Sequence, residues 1–494
     1  MTQQERIVNY RKRTVFILFA ALLVRFWLSQ ITSLELTGPE AYAWLKGKYL
    51  DWGYYDQGPL VPWLVRLGTW FFHDTVLGVR WLAAAIYTST GFVFFYLTRA
   101  WYGARVAFWS VVIYLVMPVY AWPTLLMTDG TANLGLMALA LLAYHLILER
   151  GTWWAWALAG AASGTALLVS WTNIWWPIGL LLYFFLDPAR KQQLRSPLPL
   201  AGAITLLFCL LPVWFWYRKP AVRDLQFTEH AAFYSDTGVG SLRALGNLAA
   251  EQFLLWSPGL LLAVVAILYV SRSSLWRDKR HVLLLSIALP GLIFQVCAAL
   301  FHAADPDALP ALYLPVAILA GHLWLERAYK RPVWARIGLW LLVLAAVQSV
   351  LGLLPQVANR TWLLQSGLYS SVSGRSLALE VNRQQKERGA TIVIANRPET
   401  ASLLSFYLPY QPQVYMVHNA APRSQFDFWA DYSDFNGYDA LYITPAKQAV
   451  PAQLQREFRE VFPLDDARVP DDLDGYWEFY LCEDYGGVKE ESPQ

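Results

Sequence analysis

Two runs decide the fold: TANLGLMALALLAYHLIL at residues 131–148 and WWAWALAGAASGTALLVS at 153–170. Each is 18 residues long without a single Asp, Glu, Lys or Arg, and only Glu149, Arg150, Gly151 and Thr152 separate them. A helix rises about 1.5 Å per residue and the hydrocarbon core of a bilayer is about 30 Å thick, so a run of this length crosses it. The pair therefore reads as a transmembrane hairpin. Comparable runs at 14–34, 79–98, 105–122, 174–186, 199–217, 254–270, 281–301, 309–326 and 334–354 raise the expectation to about eleven spans, with 174–186 the shortest.

Composition agrees with a membrane protein. Hydrophobic residues make up 56% of the chain and charged residues 15%, against roughly 25% charged in soluble proteins. The 25 tryptophans belong to a residue type that prefers the membrane–water boundary. A net charge of +3 is too small to make a nucleic-acid surface, and no nucleic-acid partner is expected. Cys209 and Cys297 lie in apolar runs and Cys482 stands alone after them, so no disulfide forms within the C-terminal part.

The loops set the orientation. Arg99 and Arg105, then Arg190, Lys191 and Arg195, then Arg272, Arg277, Lys279 and Arg280, then Arg327, Lys330, Arg331 and Arg336 occupy alternate connections. The short connections between them, around 128–130, 171–173 and 302–307, hold no Lys or Arg. By the cytoplasmic bias of basic residues the N-terminus lies inside, and the C-terminus, after an odd number of spans, outside. Arg11, Lys12 and Arg13 precede the first run and no small-residue cleavage site follows it, which reads as an uncleaved span. The expected domains are a membrane module over 1–355 with external loops 35–75 and 218–253, a linker over 356–375, and a small periplasmic α/β domain over 376–494. In that domain strands are expected at 390–395 and 440–444 and helices at 399–407 and 451–462. It carries no Gly-rich phosphate loop and no clustered metal-ligand spacing. The loop at 35–75 reads as two short helices broken at 53–59, with aromatic faces suited to the membrane interface.

Acidic residues at the outer membrane edge carry the candidate chemistry. They are Glu40 in Gly38-Pro39-Glu40-Ala41-Tyr42-Ala43-Trp44, Asp56 in Tyr54-Tyr55-Asp56-Gln57-Gly58-Pro59-Leu60, and Asp129 in Met127-Thr128-Asp129-Gly130. Three carboxylates on one face can supply a general base and electrostatic anchors. They can equally be helix caps, since Pro39-Glu40 looks like a helix start and Asp129 like an N-terminal cap. Trp44, Tyr54 and Tyr55 can stack on sugar or lipid, or form part of an interfacial belt. His145, inside a span, has no evident partner in the sequence, and its place near a cytoplasmic end favours packing or snorkelling.

The order of these elements resembles the GT-C integral-membrane glycosyltransferases, the group of protein O-mannosyltransferases, aminoarabinose transferases and rhizobial lipopolysaccharide-core transferases. Their first external loop typically reads Asp-Glu-Ala-Tyr-Tyr-Trp and then Gly-Tyr-Tyr-Asp-His-Pro-Pro-Leu. Here the segments are Pro39-Glu40-Ala41-Tyr42-Ala43-Trp44 and Gly53-Tyr54-Tyr55-Asp56-Gln57-Gly58-Pro59-Leu60. Arg80 matches a common Arg-Leu-Pro position, Asp129 the Asp of a Thr-Pro-Asp motif, and Ser257-Pro258 and Pro310–Pro315 further landmarks. The resemblance implies a mainly α, polytopic membrane helix bundle of GT-C type with a small C-terminal α/β soluble domain. It also implies a polyprenyl-phosphate sugar donor and an envelope lipid, glycan or protein as acceptor, in a cell inner membrane.

In that chemistry a carboxylate deprotonates an acceptor hydroxyl, which displaces phosphate from the anomeric carbon with inversion. Glu40 is then the expected base, with Asp129 and Asp56 orienting it or the acceptor, or holding a divalent ion. Arg80, His302, Arg218, Lys219 and His230 are the candidates for holding the donor phosphate. Three departures from the family pattern stand out. Pro39 replaces the first acid of the Asp-Glu pair, Gln57-Gly58-Pro59 replaces His-Pro-Pro, and Ser170-Trp171-Thr172-Asn173 lacks the lysine of a frequent Ser-Lys-Tyr-Thr segment. They keep open a second reading, a catalytically degenerate relative that binds lipid-linked sugar or scaffolds an envelope assembly. A transporter is disfavoured because the spans are almost free of charge and no internal repeat is present.

Overall fold

A computed structural model describes residues 3–30, 35–219, 258–299, 306–351, 374–417, 424–446, 448–471 and 475–487, together with 222, 246 and 249. The chain divides into two compact units. The first holds Met1–Gln30, Gln57–Val61 and Arg80–Leu354, and the second holds Ile31–Asp56, Pro62–Val79 and Pro355–Gln494.

The first unit is helical. Among the described residues five helices are long and apolar enough to cross a membrane: Val76–Tyr102, Asp129–Arg150, Lys279–Ala299, Leu309–Lys330 and Pro332–Leu351. The apolar runs at 105–122 and 199–217 are each broken in two, into Ala104–Val116 with Pro118–Ala121 and Leu198–Cys209 with Leu211–Trp216. The second piece of each carries a proline in its first turn, where the missing N–H is tolerated but the preceding helix cannot run through.

Aromatic stacking organises the centre of this unit. Tyr87 and Tyr114 stack with ring centroids 4.7 Å apart, and Tyr120 lies 5.0 Å from Tyr114. The Arg25 guanidinium sits 3.5 Å over the Tyr87 ring and donates to the carbonyl oxygens of Thr124 (2.8 Å) and Ala121 (3.1 Å). A buried charge is thereby held by π-electrons and carbonyl dipoles together. His145 does have a partner: its Nδ1 accepts a 2.9 Å hydrogen bond from the Trp101 indole.

Close helix approach is set by small residues. Gly160 and Gly164 lie one turn apart on Trp153–Leu167, and a Cβ on Gly160 would collide with the Gly202 carbonyl oxygen on Leu198–Cys209. This small-xxx-small spacing lets two backbones touch in lipid, where hydrophobic burial supplies little. Gly160→Val is therefore expected to destabilise the bundle by about 1–3 kcal/mol through overpacking, read as a lower thermal midpoint of the detergent-solubilised protein. An unchanged midpoint would mean that these helices separate without cost.

The second unit is α/β. Its sheet runs β2-β1-β3-β5-β4, with β1 Ile392–Ala395, β2 Tyr415–Met416, β3 Ala440–Pro445, β4 Phe458–Asp471 and β5 Gly475–Tyr485. β1 pairs parallel with β2 and β3, while β5 is antiparallel to both β3 and β4. The residues of β1 are all buried, as a central strand of purely apolar composition must be. The expected helix at 451–462 is only Ala452–Glu457; from Phe458 the chain is strand β4, paired Phe458 to Tyr485. Pro463 disfavours helical backbone in the residue before it, and the cross-strand aromatic partner overrides the local helical preference.

The helix Gly38–Lys48 of the first loop belongs to this unit, and nine of its eleven residues are buried. Its partner is the helix Pro398–Tyr407: Trp44 meets Phe406 edge-to-face at 5.0 Å, and the Tyr407 hydroxyl accepts from the Leu36 amide at 2.8 Å. The loop and the C-terminal α/β fold share one core.

Candidate active site

Glu40 starts a helix. The segment Thr37-Gly38-Pro39-Glu40 folds as a capping box, in which the Thr37 hydroxyl accepts from the Glu40 amide (3.4 Å) and Glu40 Oε2 accepts from the Thr37 amide (3.0 Å) and hydroxyl (3.2 Å). Proline is suited to the first turn, where its absent N–H is not needed. The departure at Pro39 thus has a local cause, and Glu40, fully buried, already uses one carboxylate oxygen to hold the helix end.

Asp56 is held by two side chains. Lys46 Nζ lies 2.6 Å from Oδ1, and the Tyr42 hydroxyl donates to Oδ2 at 2.6 Å. The Lys46 ammonium also sits 3.8 Å over the Tyr42 ring. Lys46 is 0% exposed, so its charge survives only because a carboxylate and an aromatic face replace water. Burial first, and then the Asp56 carboxylate, push the Tyr42 phenol far above its ordinary range, so it remains a proton donor. Tyr42 also accepts from the Gln425 backbone amide at 2.9 Å. Lys46 was not among the sequence candidates, although Tyr42 and Lys46 stand at i and i+4 on one helix face.

The three aromatic candidates are in protein contact. Trp44 is buried and its indole donates to Asp74 at 2.8 Å, and the Tyr54 hydroxyl donates to the Lys46 carbonyl at 2.8 Å. Burial pushes the Tyr54 phenol up to about 12. Tyr55 is half-buried, 5.3 Å from Phe428, and its amide donates to Gln425 Oε1 at 2.8 Å.

In the first unit Asp129 is the opening residue of the helix Asp129–Arg150. Its Oδ1 accepts a 2.9 Å hydrogen bond from Gln57 Nε2, and the helix dipole favours a carboxylate at this end. Gly58 explains the loss of the His-Pro-Pro pattern, because a Cβ there would collide with the Leu168 carbonyl oxygen. The chain turns tightly against 168–169 and delivers Gln57 to Asp129. Asp307 also reaches this helix start: its Oδ1 lies 2.8 Å from where a Cβ on Gly130 would stand. One turn on, Asn133 Oδ1 accepts from Asn173 Nδ2 at 2.8 Å, both residues being buried. Asp307, Asn133 and Asn173 were not among the sequence candidates, because only the fold brings these separate segments to the start of the Asp129 helix.

Of the cation candidates, Arg80 is buried in the Val76–Tyr102 helix. Arg218 lies 4.0 Å over the Trp214 ring, and it and Lys219 are exposed. His230 and His302 lie outside the described residues. Among the described residues no three His, Cys, Asp or Glu side chains are grouped to hold a metal ion.

The family model for dolichyl-phosphate-mannose-protein mannosyltransferase matches residues 56–216. The lipid A galacturonosyltransferase RgtD of Rhizobium johnstonii is 24% identical over 393 residues, covering 78% of this chain and 79% of that protein. An undecaprenyl phosphate-alpha-4-amino-4-deoxy-L-arabinose arabinosyl transferase of Pseudomonas aeruginosa is 24% identical over 344 residues, covering 65% of this chain and 59% of that protein. The structure of ArnT from Cupriavidus metallidurans bound to undecaprenyl phosphate superposes with a TM-score of 0.63 at 18% identity, covering 94% of this chain and 97% of that one. In family model, relatives and fold, the chain is thus similar to integral-membrane glycosyltransferases of the GT-C type.

Proposed function

We propose that this protein transfers a sugar from a polyprenyl-phosphate-linked donor to an envelope acceptor, with a lipid of the lipid A class as the first acceptor to test. The observation that carries the reading is Asp129, a carboxylate at a helix N-terminus, oriented by Gln57 and matching the family's acidic position between spans. RgtD and the arabinosyl transferases, by their names, act on lipid A and on undecaprenyl-phosphate sugar. The positive-inside distribution of Lys and Arg supports about eleven spans in a cell inner membrane, with the C-terminal α/β fold on the periplasmic side.

In the proposed step an acceptor hydroxyl loses its proton to a carboxylate as its oxygen attacks the anomeric carbon. The bond from that carbon to the phosphate oxygen breaks on the opposite face, and the lipid phosphate leaves with the electron pair. Asp129 is the preferred base. Glu40 Oε2 is already taken twice by Thr37, which gives Glu40 a structural part. Arg80 is the preferred partner of the departing phosphate, by the fork geometry of its guanidinium. A degenerate relative is the second reading, favoured by Pro39 and by the capping role of Glu40.

Glutamine fits the third position of a capping box as well as glutamate does. Glu40→Gln is therefore expected to keep transfer within about threefold of wild type, while Glu40→Ala costs about 1 kcal/mol of stability through the lost cap. Initial rates in membranes supplied with a panel of polyprenyl-phosphate sugars measure the first, and thermal melts the second. A collapse of transfer in Glu40→Gln with an unchanged melt would return the base to Glu40.

A further inference from the structure

At the arginine- and lysine-rich end of the first unit, remote along its helices from Asp129, two concavities meet. One is an apolar slot of about 440 Å³ between the helices Ala104–Val116, Pro258–Leu275, Leu309–Lys330 and Pro332–Leu351. Its walls include Trp109, Ile113, Val264, Ala317, Trp324 and Leu342. The other is a polar basin of about 600 Å³ around Arg277, Lys279, Arg280 and His281. Both are lined by His322 and Glu326, so slot and basin join there.

The basin carries polar groups with nothing to bind. Both ring nitrogens of His281, which is 4% exposed, and Nδ1 of His322 have no hydrogen-bond partner among the described residues. The nearest carboxylate to His281 is Asp278, 3.9 Å from Nε2. Such groups are costly to bury unless a ligand or water completes them. Charge favours an anion. Glu326 is neutralised by Lys330 at 2.7 Å, and Lys279 pairs with Asp187 at 3.0 Å. Arg280 donates to the Trp101 carbonyl oxygen, while Arg277 stands exposed at the rim. At the slot's own mouth Arg105 lies 5.5 Å over the Tyr329 ring.

We infer that this end of the bundle holds one anionic phospholipid, its acyl chain in the slot and its phosphate in the basin between Arg277, His281 and His322. An apolar channel leading into a cationic, partly unsatisfied basin matches a molecule with a hydrocarbon tail and an anionic head. A soluble phosphate compound would leave the slot empty, and a neutral lipid would leave the basin uncompensated. The site is independent of the transfer reaction and lies at the other end of the Asp129–Arg150 helix from the candidate base.

The test is native mass spectrometry of the full chain in mild detergent, titrated with phosphatidylglycerol and separately with phosphatidylcholine. Wild type is expected to retain one phosphatidylglycerol in preference to phosphatidylcholine. Arg277→Gln should weaken phosphatidylglycerol retention about fivefold, the effect of one basic residue at an anionic lipid surface. Ala263→Trp, which fills the slot from a half-buried position, should abolish it at an unchanged melting midpoint. Equal retention of the two lipids by wild type, or phosphatidylglycerol retention unaffected by Arg277→Gln, would overturn the assignment. So would a retained mass equal to a polyprenyl phosphate.

Discussion

Asp129→Asn is expected to lower the initial rate of sugar transfer from a polyprenyl-phosphate donor by about 10²–10⁴-fold, the range for removing a positioned general base. Asparagine keeps an oxygen for the 2.9 Å hydrogen bond from Gln57 and is well tolerated in the first turn of a helix. The folded state should therefore lose only about 0.3–1 kcal/mol from the weakened interaction with the helix dipole. Membranes with matched protein levels separate the two effects: rate collapses while the melt barely moves. Gln57→Ala should fall between wild type and Asp129→Asn, because it frees the carboxylate to rotate without removing it. A rate for Asp129→Asn within about threefold of wild type would exclude proton transfer to this group, since even the weakest such contribution exceeds that.

The largest stability effect belongs to the buried pair. Lys46 is 1% exposed at its side chain and Asp56 26%, so Asp56→Ala strands an ammonium where water cannot reach it. The expected loss is about 3–5 kcal/mol, as for other buried pairs broken on one side. Lys46→Met should cost less, because the remaining carboxylate keeps the Tyr42 hydroxyl at 2.6 Å and some solvent. The double variant Lys46→Met/Asp56→Ala should recover much of the Asp56→Ala loss, and the double-mutant cycle on melting midpoints reads that coupling. Additive losses would mean that the two charges do not support each other.

How much of this was legible follows from where each signal resides. The bundle could be read from apolar runs because a span declares itself by its own composition. The breaks at Pro118 and Pro212 were also visible as prolines, but their effect on helix length needed the structure. Glu40 was readable both ways: Thr37-Gly38-Pro39-Glu40 is a capping pattern, and only the 3.0 Å bond to the Thr37 amide decided which oxygen was taken. Asp56 gave no sign of a partner because that partner is a lysine ten residues earlier, brought back by the chain between them. Asp307 sits 178 positions after Asp129, a separation that no local pattern bridges. The strand from Phe458 was hidden because its pairing with Tyr485 supplies the energy that its sequence lacks.

The shared core of the first loop and the C-terminal fold sets a timetable for the nascent chain. Tyr42 receives its hydrogen bond from Gln425, 383 residues downstream. At 5–20 residues per second the ribosome needs roughly 20–80 s to make that stretch. Throughout that interval the helix Gly38–Lys48 has been synthesised, but the Phe406 surface that Trp44 packs against has not. The loop must wait with an apolar face uncovered, so an escort or the lipid surface has to shelter it until the last quarter of the protein emerges.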